Sequence, residues 1–395
     1  MTAEGDTGLP ARGRGDPAHP AYLELFFDLV YVFALISLAE ELATELTWTG
    51  IAQTLVLLLA FTLIWALTVW VRDTLDQARS AVQVLFIGTV AASLLLAATV
   101  PDAYGNRGLL FAITYVTIRL GSNVYTLLFV REPFHRSRSV RVLLWEAIAT
   151  IAWIGGAVLD ETDRLILWAV AIGIEYASAA LGWPVPRLGR SHSEEWRLTA
   201  ERLSERYRQF VIVALGASLF VTAETFSRSD FAAPRVWALV VVFLIVVLMW
   251  RIYIYRAGEL LTEAIAKSAR PSLLGQSAAV THLIMVAGIG GAAVTSKLVI
   301  DRPFGETPPS WIAVILGGPA LFLLGRGVLD YTVFARVSRS RLVGLVLLGG
   351  VAPVTYLLPP LVVALLAMIV LAAVAVANLL STRSHPRTAA PPALR

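Results

Sequence analysis

Runs of about 20 apolar residues recur from one end of this chain to the other, and few structures accommodate that pattern. A hydrocarbon environment offers no water to backbone N–H and C=O groups, so only α-helices and closed β-barrels cross it. A barrel would show shorter segments of alternating polarity, which are absent. The 395 residues are 57% hydrophobic and 15% charged, with a mean hydropathy of +0.72. The expected fold is therefore all-α: a polytopic membrane protein of about 12 transmembrane helices.

Prolines, glycines and charged loops punctuate the runs. The spans of the first half are expected at 22–40, 51–71, 80–100, 108–130, 141–159 and 164–183. Those of the second half are expected at 208–226, 234–254, 272–295, 310–329, 342–358 and 359–380. The last two come from one apolar stretch split at Leu357-Leu358-Pro359-Pro360, where proline breaks a helix. Residues 1–21 and 381–395 form polar tails, and 184–207 forms a hydrophilic linker between the halves. In that linker Ser191-His192-Ser193-Glu194 has the form of a capping box ahead of an amphipathic helix.

Most of the 32 Lys and Arg fall on one side if the N-terminus is cytoplasmic. This predicts a bacterial inner-membrane protein with both termini in the cytoplasm. The net charge of +4 and pI near 9.5 do not signal nucleic-acid binding, because the basic residues lie in short loops between apolar runs. Cysteine is absent, which excludes disulfides and thiolate metal sites. The expected partners are the lipid bilayer and a small solute or ion, with no cofactor and no bound metal.

Within this apolar background, Leu23-Glu24-Leu25-Phe26-Phe27-Asp28-Leu29-Val30-Tyr31-Val32-Phe33 stands out. Glu24 and Asp28 share one helical stripe with Tyr31. An acid in a lipid-embedded helix costs roughly 2.5–3.5 kcal/mol on insertion scales, so two on one stripe call for a compensating partner. Arg119, Glu175, His282, Arg326 and Asp330 also lie within spans, and Glu205 lies at the mouth of one. Aligning Glu24–Val32 with Glu205–Val213 suggests two six-helix parallel repeats, placing Arg119 opposite Arg326. From this we expect Asp28 to pair with Arg119 and Glu205 with Arg326, lining a polar cavity. His282 would serve as a proton relay, and Glu175-Tyr176 would join the same network. Glu146 reads as an interfacial partner of Arg136, Arg138 and Arg141. Gly317-Gly318-Pro319 interrupts its span, as a hinge or as a packing contact, and Gly88, Gly121, Gly155, Gly156, Gly216, Gly288, Gly290 and Gly291 suit close helix contact. Trp48, Trp145, Trp153, Trp168, Trp183 and Trp311 fall near span ends, as interfacial anchors do.

The Glu24–Phe33 segment resembles the opening signature of the bacterial low-temperature-requirement A (LtrA) family. A second family segment matches Glu205-Arg206-Tyr207-Arg208-Gln209-Phe210-Val211-Ile212-Val213-Ala214-Leu215-Gly216-Ala217-Ser218, and a third matches His282 with its glycine-containing run. The second segment departs from the family pattern: Ala217 stands where Glu is usual, and Arg208-Gln209 replaces a small or apolar pair. The resemblance implies a role in bacterial growth in the cold and implies no reaction. Zinc-protease, nucleophile-elbow, phosphate-loop and dinucleotide signatures are missing, so no enzyme is expected. The favoured reading is an ion- or proton-coupled secondary transporter. The alternatives are a non-transporting membrane protein with a structural polar core, and an intramembrane enzyme acting on a lipid-like substrate.

Overall fold

The computed structural model describes residues 22–44, 46–74, 80–129, 133–191, 200–254, 261–265, 268, 271–334 and 336–384. Among these, no strand occurs and twelve helices reach 13 residues or more. They are α1 (Tyr22–Thr44), α2 (Trp48–Thr74), α3 (Ser80–Thr99), α4 (Gly108–Phe129), α5 (Pro133–Ala157) and α6 (Glu161–Leu181). Then come α7 (Ala200–Ser227), α8 (Ala233–Ile254), α9 (Pro271–Asp301), α10 (Pro309–Phe334), α11 (Arg339–Val351) and α12 (Pro360–Ser384).

By length and composition, 10 of these helices are apolar enough to cross a membrane. The two that fall short are α1 and α4. Their charge and polarity explain this: α1 carries Asp28, Glu40 and Glu41, and α4 carries Arg119, Ser122 and Asn123. Burial is inverted relative to a water-soluble protein. Leu128, Ile151, Phe220 and Val346 are exposed, whereas Asp28, Arg119, Glu146, Glu175, Arg326 and Asp330 are buried. Only a lipid surround makes that distribution favourable, since apolar surface then costs nothing and a solitary charge costs most. The chain is an all-α polytopic membrane protein.

Helix ends follow local chemistry. At the start of α6, Glu161 and Asp163 face the positive end of the helix dipole. The same helix ends at Gly182 with φ 77°, where the Trp183 amide reaches Ser178 O at 2.7 Å. A Cβ at Gly182 would also strike the Ser191 carbonyl oxygen at 2.4 Å, so glycine is required twice over. The split at Pro359 is as expected: α11 runs into a 3-10 turn (Ala352–Leu357), and extended Leu358 precedes the proline. The proposed capping box falls largely on residues 192–199, outside those described. The seventh helix is longer than expected and starts at Ala200 rather than 208.

Two compact units are present. The first contains residues up to Ala34 together with Ala52–Glu195. Here α4 packs between α3 and α5, and α5 packs on α6. Its centre is aromatic: Phe27, Tyr31, Phe61, Phe111, Tyr115, Trp153 and Trp168 are all nearly inaccessible. Trp153 and Trp168 are thus core residues and not interfacial anchors, with rings 5.1 Å apart and Trp168 Nε1 donating to Trp153 O at 2.9 Å. By contrast, Trp48 is 79% exposed, as an anchor would be.

The second unit contains Leu35–Ile51 and Trp196–Arg395. Its densest contact is between α9 and α10, with α7 and α8 also packed on α9. Glycine makes that crossing possible. A Cβ on Gly288 would lie 2.6 Å from both Gly318 O and Phe322 N, and one on Gly291 would lie 2.9 Å from Gly318 Cα. Pro319 sits inside α10 without ending it. The Gly317-Gly318-Pro319 segment is therefore a packing contact within a continuous helix, not an interruption.

Candidate functional site

Three neighbouring helices of the first unit converge on one guanidinium. On α4, Tyr115, Arg119 and Asn123 recur at four-residue spacing and form a polar stripe on a buried face. The neighbouring stripe is closed locally, because Ser122 and Thr126 return their hydroxyls to Ile118 O and Ser122 O. Facing Arg119 are Glu146 on α5 and Glu175 on α6, each with a side chain 3% exposed.

Arg119 Nη2 lies 2.9 Å from Glu146 Oε1, and Arg119 Nε lies 3.5 Å from Glu175 Oε1. Neither contact has hydrogen-bond alignment, so the attraction is Coulombic. The other carboxylate oxygens receive aligned donors. Tyr115 donates its hydroxyl to Glu175 Oε2 at 2.7 Å, and Asn123 Nδ2 donates to Glu146 Oε2 at 3.1 Å and to Arg119 O at 3.3 Å. Each of the four carboxylate oxygens thus faces a donor atom, and one positive charge serves two acids.

Below this cluster the Trp153 ring lies 4.5 Å from Tyr115, and Phe111 stacks on Trp168 at 5.2 Å. Arg164 closes that end. Its guanidinium donates to Ala103 O, Gly105 O, Gly156 O, Ala157 O and Leu159 O, joining the end of α5 to the turn before α4. In that turn, burial drives the Tyr104 hydroxyl well above its ordinary range, against the opposing pull of Arg164.

Toward α1, hydroxyl groups continue the polar path. Thr62 on α2 donates to Leu58 O at 2.8 Å and receives Tyr31 at 3.5 Å. Tyr176, next to Glu175, reaches the same Thr62 and donates to Leu59 O at 3.1 Å. Asp28 is buried one turn before Tyr31. The expected pairing of Asp28 with Arg119 is corrected: Arg119 is held by Glu146 and Glu175. Glu146 is corrected as well, because it points into the cluster rather than to the basic residues at its helix start. Arg141 there donates to Ser137, Leu188 O and Ser191. The Glu24 side chain lies outside the described residues.

The second unit has its own buried polar groups. Arg326 pairs with Asp330 one turn later on α10, and Asp330 also receives Arg341 from α11. The expected pairing of Glu205 with Arg326 is therefore also corrected, since Glu205 is half exposed and pairs with Arg208 at 3.2 Å. A buried Arg206 sits beside it, donating to Gln209 at 2.9 Å. His282 is enclosed. Its Nδ1 donates to Ala278 O at 2.6 Å, leaving Nε2 to accept the Tyr253 hydroxyl at 3.2 Å, and its ring stacks on Tyr207 at 4.8 Å. Because Ala278 O can only accept, Nδ1 carries a proton.

Of the residues named from sequence, the structure unites Arg119 with Glu175, and Arg326 with Asp330. Sequence reasoning set Glu146 aside and missed Arg341 and Arg164. A signal for Glu146 existed: it is a lone acid well inside an apolar run, as Glu175 is. Among the described residues, no group of three His, Asp or Glu is placed to hold a metal ion.

The family model of the bacterial low temperature requirement A protein (LtrA) matches residues 21–376. The chain is also 31% identical over 327 residues to the uncharacterized protein RA0937 of Rhizobium meliloti (strain 1021), covering 82% of this chain and 80% of that one. No solved structure matches it. With the opening segment, the helical architecture and a match over nearly the whole length, the chain belongs to the bacterial low temperature requirement A family.

Proposed function

We propose that this protein is an ion- or proton-coupled secondary transporter of a small solute. It would lie in the bacterial cytoplasmic membrane with both termini on the cytoplasmic side, and it would not be an enzyme. One observation carries the reading: Arg119 is shared between Glu146 and Glu175 inside an apolar helix bundle. A cation or proton taken up by one carboxylate frees the guanidinium to bind the other, or to bind an anionic group of a solute. That competition is the elementary step of coupling, because loading one ligand changes the affinity for another. Asp28, Tyr31, Thr62 and Tyr176 supply a hydroxyl-lined route to Glu175. Arg119 on α4 and Arg326 on α10 occupy the fourth helix of each set of six, which supports two parallel repeats.

The test is reconstitution in liposomes carrying a pH-sensitive dye, across a panel of small solutes. The wild type should show solute-dependent proton flux that Glu175→Gln abolishes and Asp28→Asn slows. Folded protein that moves no ion with any solute sinks the reading. A non-transporting protein with a structural polar core is the second reading. The pairing of Arg119 with both acids favours it, and under it Glu175→Gln changes stability alone.

A further inference from the structure

The cluster holds more negative than positive charge. Arg119 contributes one positive charge, and Glu146 and Glu175 contribute two negative charges if both are ionised. The other groups facing it are neutral: Tyr115 and Asn123 on α4, Trp153 on α5 and Tyr176 on α6. A buried excess charge is unfavourable in this setting, so the cluster binds one further positive charge or one proton. A metal cation needs several free oxygen ligands. Here all four carboxylate oxygens already face donors.

Resting on the transport reading above, we infer that the coupling ion is a proton, carried by Glu175 Oε2, while Glu146 is the permanent counter-charge of Arg119. Geometry separates the two acids. Glu146 lies closer to the guanidinium, at 2.9 Å against 3.5 Å. Its second oxygen faces an amide N–H of Asn123, which cannot accept. The second oxygen of Glu175 faces the Tyr115 hydroxyl, which donates or accepts by rotating its O–H bond, while the Trp153 indole beside the same carboxylate is a donor only. When Glu175 is ionised, Tyr115 donates to it. When Glu175 takes up the proton on Oε2, the new O–H donates back to the Tyr115 oxygen, and no heavy atom needs to move. The looser contact with Arg119 Nε is then the one released.

The test is infrared difference spectroscopy of detergent-purified protein at neutral pH, reading the C=O stretch of a protonated carboxylic acid. The wild type minus Glu175→Gln should show that band. Tyr115→Phe, which preserves ring packing, should shift its frequency because the acid loses its acceptor. Asn123→Ala should leave it in place. Absence of the band overturns the proposal, as does a band that moves with Asn123→Ala and not with Tyr115→Phe. Should Glu175→Gln fail to fold, the Tyr115→Phe comparison against wild type still decides. The measurement needs no solute, so a band present without flux refutes transport alone, and flux without the band refutes the proton assignment alone.

Discussion

Replacing Arg119 with methionine removes the positive charge and keeps an unbranched side chain of similar length. Glu146 and Glu175, both 3% exposed, are left with the neutral donors Tyr115, Asn123 and Trp153. Breaking a buried ion pair from one side costs about 3–5 kcal/mol, because the abandoned charge stays buried. We expect a loss of that size in chemical unfolding of the detergent-solubilised protein. The triple variant Arg119→Met/Glu146→Gln/Glu175→Gln removes all three charges together. Its amide oxygens still accept from Tyr115 and Asn123, so it should return to within about 1–2 kcal/mol of wild type. A loss below about 1 kcal/mol for Arg119→Met would place the cluster among weak surface pairs and refute the reasoning. So would a triple variant no more stable than the single one.

Other expectations are more local. Gly288→Ala forces a Cβ against the backbone of Gly318 and Phe322 and should cost about 1–3 kcal/mol by denaturant titration, whereas Gly290→Ala meets nothing within 4 Å and should be neutral or slightly stabilising. Arg164→Lys cannot span five carbonyls on the end of α5, the turn after it and the turn before α4, and a loss of about 2–3 kcal/mol should appear together with faster amide exchange at Gly105 and Gly108. Tyr253→Phe leaves His282 Nε2 without its donor and should cost about 1–2 kcal/mol in the same titration; an unchanged midpoint refutes that hydrogen bond. Between α7 and α8, the Ala232 amide and Arg235 hold the Asp230 carboxyl below its ordinary range. Its contribution is therefore complete above the usual carboxylate pKa of about 4 and is lost as pH falls through the depressed value. Asp230→Asn should remove that acid-side slope in a pH series of unfolding midpoints.

The helical plan was legible because lipid imposes one rule on every segment: satisfy the backbone internally and face outward with apolar groups. Run length and Pro359 were enough to separate α11 from α12. The rule also explains one error and decides one alternative. Trp153 and Trp168 lie near helix ends, where tryptophan commonly anchors, yet both are consumed by the aromatic centre of the first unit. Gly317-Gly318-Pro319 has the composition of a break, yet the helix is intact, and the close approach of α9 demands glycine at Gly318.

The sequence by itself determined that charges such as Arg119, Glu175, Arg326 and Asp330 must find partners, since lipid leaves them no other stable state. Only the tertiary structure decided which partners. Several acids satisfy Arg119 equally well on paper, and a repeat argument selected Asp28. Helix packing instead brought α5 and α6 against α4, so Glu146 and Glu175 meet the guanidinium. Coulomb attraction specifies sign and not address. The address comes from which apolar faces fit together, and that is a property of three helices at once.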